Sequence, residues 1–284
     1  MNMTFGVIGG DRRQAELARL LQADHHEVYT YGLNRWKPGG ECVLNRAAEA
    51  DVVILPLPLC RGDGVLNCEE DPVPTADLFR RLRPAQRILA GQIKPQQRQE
   101  ARSFSLELED YFLLEELTVA NAAATAEAAI QVAMDRLEQI LLGTNCLVLG
   151  FGRIGKLLCY RLHGLGAKVT ATARRREDLA WIRAYGWPAL DTTDLSGRLG
   201  EFDVVFNTIP SAILNERLLR QLPSECLCMD LASVPGIDLA AAEKCGLSAL
   251  WARSLPGRMV PKTAAAIIRD AIYYILSRER GGPA

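Results

Sequence analysis

Histidine is scarce: the chain of 284 residues has three, His25, His26 and His163. None has a second ligand at metal-binding spacing, so no metal site is expected. An excess of either charge is also missing. Lys and Arg number 33 against 34 Asp and Glu, a net charge of −1, so no broad field draws nucleic acid or an anionic membrane. No apolar run approaches the roughly 20 residues that span a bilayer. The opening MNMTFGVIGG lacks a basic stretch and a cleavage-site pattern, and is expected to be a strand rather than a leader. There are eight cysteines but no C-x-x-C pair. Cys226 and Cys228 alternate in an apolar run, and Cys146 and Cys159 flank a glycine turn. The expectation is buried, reduced thiols in a cytoplasmic protein with neither nucleic-acid nor membrane partners.

Apolar residues make up 49 % of the chain, enough for a core in each of about two domains at this length. Strand-like and helix-like segments alternate, and the alternation runs through the chain twice. The runs TFGVI, EVYTYGL, ADVVILPLP and RILAG read as strands of the first half, with DRRQAELARLLQ an amphipathic helix and PVPTADLFRRL a helix capped by Thr75. NCLVLGFG, KVTATAR, DVVFNTIP, CLCMDLAS and LSALWARS read as strands of the second half. The near-continuous apolar runs suit parallel strands buried on both faces. The expected fold is α/β, two Rossmann-like, doubly wound parallel-sheet domains joined by a long helix. The boundaries follow: an N-terminal domain over 1–121, a linking helix over 122–143, a second domain over 144–260 and a C-terminal helix over 261–284 that folds back onto the first domain.

Two strand–glycine–helix stretches stand out. FGVIGGDRRQ, Phe5 to Gln14, lacks the G-x-G-x-x-G spacing, whereas LVLGFGRIG has it at Gly150, Gly152 and Gly155. In such a turn the first glycine permits a tight bend and the second lets a pyrophosphate approach the backbone. The third lets the helix pack closely, and the amides around Arg153 and Ile154 face the phosphates. About 20 residues on, where an acid would bind the ribose of NAD, the chain has Arg174, Arg175 and Arg176. Positive side chains there favour a 2′-phosphate, so NADP is expected over NAD. The strand ends FNTIP and DLAS belong to the ligand crevice. They are expected to turn Asn207, Thr208 and Asp230 towards the cofactor's ribose and nicotinamide, with Ser233 on the substrate side. Dehydrogenases acting on alcohols commonly use a histidine–carboxylate couple. His163 stands towards the far end of its helix, so hydride loss from an amine, imine or ring carbon fits better than from a 2-hydroxy acid.

VIGGDRRQ, GFGRIG, NTIPSAILN, DLASVPGIDL and LPGRMVPKTA, in this order from about Phe5 to Ile268, resemble the A subunit of dipicolinate synthase. The resemblance implies a fold similar to formate and glycerate dehydrogenases. It also implies oxidation of a dihydro or hydroxy-tetrahydro ring precursor from the lysine pathway, during sporulation. The compartment it implies is the mother-cell cytosol of a spore-forming bacterium, and the partner a flavoprotein-like B subunit. The family's P-G-x-x-x-P-K-T stretch maps to Pro256, Gly257, Pro261, Lys262 and Thr263. Its interdomain N-x-x-P-T-x-E-G maps to Asn121, Thr125 and Glu127, with Ala124 and Ala128 in place of Pro and Gly.

A ring dicarboxylate needs two anion-binding points. Arg12 and Arg13, with the amides of the first helix, and Lys262 are the candidates. Lys262 and Glu127 are the candidate catalytic residues, Glu127 as proton acceptor, and Thr125 is assigned to the substrate. The loop LCRGDGV, 59–65, is expected to wall the cleft, bending at Gly62 and Gly64, with Asp63 shaping a turn. Alternatives remain: another NADP-dependent imine or amino-acid dehydrogenase, or a non-catalytic NADP-binding subunit that organises a flavoprotein. Association of like chains is compatible with the sequence.

Overall fold

The fold is taken from a computed structural model that describes residues 3–39, 43–62 and 64–278. Asp63, expected to shape a turn, lies outside the described residues. The first elements are β1 (Thr4–Ile8), α1 (Arg12–Ala23), β2 (Glu27–Tyr31), α2 (Leu44–Ala48), β3 (Val52–Ile54), α3 (Thr75–Phe79), β4 (Arg87–Ala90), α4 (Pro95–Ser103) and β5 (Leu108–Asp110). A 22-residue helix, α5 (Glu115–Arg136), follows. Next come β6 (Asn145–Leu149), α6 (Arg153–Gly164), β7 (Lys168–Ala173), α7 (Arg176–Ala184), β8 (Ala189–Asp191), β9 (Val204–Asn207), α8 (Glu216–Leu219), β10 (Leu227–Asp230), α9 (Leu239–Lys244) and β11 (Ser248–Trp251). The chain ends in α10 (Leu255–Met259) and α11 (Pro261–Arg278). Contacts group it into two compact units, Met1–Asn121 with Pro256–Ala284, and Ala122–Leu255.

The first unit holds a five-stranded parallel sheet in the order β2-β1-β3-β4-β5. Side chains of neighbouring residues leave a strand on opposite faces, and β3 uses both. Val52 and Ile54 pack with Leu17 and Leu21 of α1 and with Ile268, Ile272 and Ile275 of α11. Val53 and Leu55 pack with Ala47 of α2, Leu78 and Phe79 of α3, and Ala101 of α4. The three isoleucines of α11 recur at helical spacing on one stripe, and burying each contributes roughly 2 kcal/mol. Pro261 starts that helix where no amide is needed.

The second unit holds a six-stranded parallel sheet in the order β11-β10-β9-β6-β7-β8. Counted within the unit this is 3-2-1-4-5-6, the order of dinucleotide-binding folds, while the first sheet is 2-1-3-4-5, the other common doubly wound order. Leu147, Leu149, Val205 and Cys228 pack with Leu219, Ala241 and Ala242 on one face. Cys146 and Val148 point the other way and are fully buried, as are Leu158, Cys159 and Leu162 of α6. Burial pushes the Cys146 thiol up to about 12. The described cysteines are all unbridged.

Four local expectations need correction. The linking helix begins at Glu115 and ends at Arg136, not at 122 and 143. Thr118 and Val119 dilute the alanine-rich composition of its first turns, although Glu115 and Glu116 favour a helix start. At its end the chain turns so that Leu141 is buried and the Gly143 amide donates to the Gly166 carbonyl at 2.9 Å. The strand expected over 50–58 spans only Val52–Ile54; the Leu55 amide still donates to the Leu89 carbonyl at 2.7 Å, but Pro56 and Pro58 have no N–H to continue the ladder. Thr75 does not cap α3; its hydroxyl donates to a Glu100 carboxylate oxygen at 2.8 Å. The short strands β5 and β8 were not expected. Each has three residues, ends in Asp and lies at a sheet edge, where polar strands are tolerated.

Candidate functional site

The turn between β6 and α6 is shaped by its glycines. Gly150 has φ +96°, and a Cβ on it would meet the Thr208 hydroxyl at 2.6 Å. A Cβ on Gly155 would stand 2.1 Å from the Gly150 carbonyl oxygen, so only glycine lets the helix start this close to the strand. Thr208 holds the edge of the turn: its hydroxyl and its amide both donate to the Leu149 carbonyl at 2.9 Å. Gly152 is the N-cap of α6 and supplies no side-chain cap. A Cβ placed on it meets nothing within 4 Å. Among the described residues the helix begins without a side-chain cap and without an acidic residue in its first turn. An uncapped N-terminus carries orphan N–H groups and the positive end of the helix dipole. Gly152, Arg153, Ile154 and Gly155 thus form a turn that fits a pyrophosphate.

On the neighbouring strand, β7 ends at Ala173 and the three arginines follow. Arg175 is already engaged, with Nε donating to Asp178 at 2.8 Å and Nη1 3.1 Å from Glu177. The side chains of Arg174 and Arg176 are exposed and make no ion pair among the described residues. Of the three, these two are available to a ligand. Sequence reasoning overlooked that a carboxylate three residues on, Asp178, would claim Arg175 in the first turn of α7.

Asn207 and Asp230 have their side chains taken up by the chain itself. Both are fully buried, and they are direct cross-strand partners at the ends of β9 and β10. Asn207 Nδ2 donates to the Asp230 carboxylate at 3.0 Å and to the Ile209 carbonyl at 3.0 Å. Its Oδ1 accepts from the Ile209 amide at 3.0 Å. Asp230 is saturated by the Ala232, Gly236 and Ile237 amides. A buried polar group needs such partners, and here the chain itself supplies them. Ser233, next but one after Leu231 in the loop that follows β10, is exposed.

The first glycine stretch differs in kind. Asp11 caps α1, its Oδ1 accepting from the Arg13 amide at 2.9 Å, while Gln14 Oε1 accepts from the Asp11 amide at 3.1 Å. D-R-R-Q is a capping box, a signal legible in the sequence that the expectation of a substrate anion passed over. The Asp11 carboxylate also takes Arg13 in a fork, Nε to Oδ1 at 3.0 Å and Nη2 to Oδ2 at 2.8 Å, and Nη2 donates to the Leu57 carbonyl at 2.7 Å. Arg13 is 5 % exposed. The anion at this helix start is the chain's own, which corrects the expectation that Arg13 and the α1 amides receive a substrate carboxylate. Arg12 is exposed and lies 3.7 Å from Glu16.

Glu127 has a partner within the chain. It is an exposed carboxylate that accepts from Arg161 Nε at 3.0 Å. Arg161 lies eight positions along α6 from Arg153, roughly 12 Å from the glycine turn at 1.5 Å per residue. Thr125 is buried in α5 with Ala122, Ala126, Ala129 and Ala133, an inward stripe at helical spacing. Ala124 and Ala128 let this helix run without a break where Pro and Gly would disfavour it. Lys262 is exposed in the first turn of α11 and makes no ion pair among the described residues. Among those residues no three His, Cys, Asp or Glu side chains group as metal ligands, and no helix is long and apolar enough to cross a membrane.

Two doubly wound units, one with an open glycine turn in a 3-2-1-4-5-6 sheet, define a protein of the dinucleotide-binding α/β class. Comparison with known proteins narrows the class. Residues 4–112 match the family model of the N-terminal domain of the dipicolinate synthase A subunit. The A subunit of dipicolinate synthase from Bacillus subtilis is 31 % identical over 97 % of this chain and 96 % of its own. The crystal structure of the A subunit of dipicolinate synthase from Bacillus halodurans superposes with a TM-score of 0.85 at 26 % identity, covering 98 % of both chains. That of the Bacillus subtilis protein has a TM-score of 0.84 at 29 % identity, covering 99 % of this chain and 97 % of the other. The chain belongs to the family of dipicolinate synthase A subunits.

Proposed function

We propose that this chain oxidises a dihydrodipicolinate or hydroxy-tetrahydrodipicolinate ring to dipicolinate with NADP as hydride acceptor. It works in the mother-cell cytosol during sporulation, beside a flavoprotein-like second subunit. The observation that carries the reading is the uncapped glycine turn of α6, with Arg174 and Arg176 free of ion pairs among the described residues at the end of β7. The amides of Arg153 and Ile154 take the pyrophosphate, and the two arginines take the 2′-phosphate. Family membership supports the substrate class.

Aromatising a dihydro ring removes one hydride and one proton, and the nicotinamide, when bound, supplies the hydride acceptor. Glu127 is tied to Arg161, so the proton leaves to water, driven by formation of the aromatic ring. Lys262 and Arg12 are exposed cations of the first unit, offered to the two ring carboxylates. The test mixes the chain, NADP⁺ and the lysine-pathway intermediate, with and without the second subunit. Reduced nicotinamide and pyridine absorbance should grow one for one. Pyridine formed without reduced nicotinamide, and only with the second subunit present, would assign the redox step to flavin and leave this chain an assembly role.

A further inference from the structure

One contact of the first unit brings the starts of two helices together. Asp11 and Arg13 form an ion pair at the start of α1, and Gly257 of α10 lies directly against it. A Cβ on Gly257 would stand 2.8 Å from Arg13 Nε and 2.9 Å from Asp11 Oδ2, so glycine lets α10 sit on the pair. Further along, Leu17 and Leu21 of α1 meet Ile268 and Ile272 of α11. At the far end the Tyr273 hydroxyl donates to Asp24 at 2.8 Å. α1 and α11 therefore run side by side in the same direction. Their first residues lie together beyond the carboxyl end of β1, where sheets of this kind receive ligands.

The segment that starts there has two sides. Pro256, Gly257 and Pro261 are buried, whereas Arg258 and Lys262 are exposed. The Val260 amide donates to the Pro256 carbonyl at 3.2 Å, and the Ala264 amide to the Val260 carbonyl at 3.0 Å. Bonding of the i→i−4 kind thus carries from α10 into α11, and Arg258 and Lys262, four residues apart, share a face. Neither makes an ion pair among the described residues, and Arg12, beside the Gly257 contact, reaches Glu16 at 3.7 Å. Like charges at this spacing repel, so the face is one that an anion would complete. We propose that Arg258 is a further substrate-binding residue, joining Lys262 and Arg12 in a cluster that takes the two ring carboxylates. Arg258, with its planar fork, and Lys262, as a point charge, grip one carboxylate; Arg12, across the contact between α1 and α10, takes the other. Recognition at two points selects a dicarboxylate over a monocarboxylate. This inference rests on the ring-dicarboxylate reading given above.

The test compares two pyridines, dipicolinate and picolinate, which carries a single carboxylate. Titration calorimetry on the wild-type chain and Arg258→Ala supplies the dissociation constants. Arg258 is exposed, so the substitution leaves the core alone. The wild type should bind dipicolinate more tightly than picolinate. Arg258→Ala should weaken dipicolinate about tenfold and picolinate by no more than about twofold, because Arg12 remains to take a lone carboxylate. In turnover, KM for the ring substrate should rise about tenfold with kcat held. Wild-type affinity for dipicolinate in Arg258→Ala, or an equal loss of both acids, overturns the assignment of Arg258. A wild-type chain that binds neither acid, alone or with the second subunit added, overturns the ring-dicarboxylate reading instead, and the assignment with it.

Discussion

Two helices leave two parallel sheets through glycine turns, α1 after β1 and α6 after β6, and their first amides meet different things. α1 starts beneath its own carboxylate, Asp11, which also binds Arg13. α6 starts at Gly152 with no side chain at all. An N-cap carboxylate contributes about 1 kcal/mol to a helix, and that stability is available only while the carboxylate occupies the place of an external anion. The first turn has taken the stability and closed; the second has forgone it and stays open. Glycine content alone does not separate a ligand turn from a structural one. The residue at the N-cap does.

The comparison can be broken in several ways, beginning with the largest effect. Asp11→Ala removes the cap and strands Arg13 in the interior. It should cost about 3–5 kcal/mol in urea unfolding and leave the nucleotide affinity of the refolded protein unchanged. An affinity loss would mean that the first turn serves the cofactor after all. Gly152→Asp moves the cap to the second turn. Nucleotide affinity should fall roughly 100-fold while the melting temperature holds or rises, and equal affinity would show that phosphates do not visit α6.

Arg174→Ala should weaken NADP about tenfold and leave NAD unaffected, whereas Arg175→Ala, which loses only pairs to Asp178 and Glu177, should change neither by more than about twofold. An equal effect of the two substitutions would remove the distinction drawn from their pairing. Glu127→Gln breaks an exposed pair with Arg161 and should shift stability by no more than about 0.5 kcal/mol, with unchanged turnover. A collapse in turnover would restore Glu127 to the chemistry.

Most of the strand and helix pattern was legible because buried parallel strands and amphipathic helices write their periods plainly, as Val52–Leu55 and Ile268–Ile275 do. The edge strands β5 and β8 were not, since a short polar strand makes few demands on sequence. The glycine turn of α6 and the arginines after β7 were legible as a group. Which arginine is free was settled by Asp178, and that required knowing where α7 begins. Asn207 and Asp230 misled because a polar residue at a strand's carboxyl end can serve a ligand or the chain, and both choices look alike in sequence. Only the positions of the Ala232, Gly236 and Ile237 amides decide between them.

The packing of α11 on the sheet of the first unit has a bearing on how the molecule is made. That unit draws its core from residues at both ends of the chain: Leu17 and Leu21 meet Ile268, Ile272 and Ile275, and the whole of Ala122–Leu255 is synthesised in between. A ribosome delivers the second unit as one uninterrupted stretch that can fold as it emerges. The residues of α1, translated well ahead of α11, must keep an apolar face waiting until that helix arrives. The half of the protein that is translated first is the half completed last.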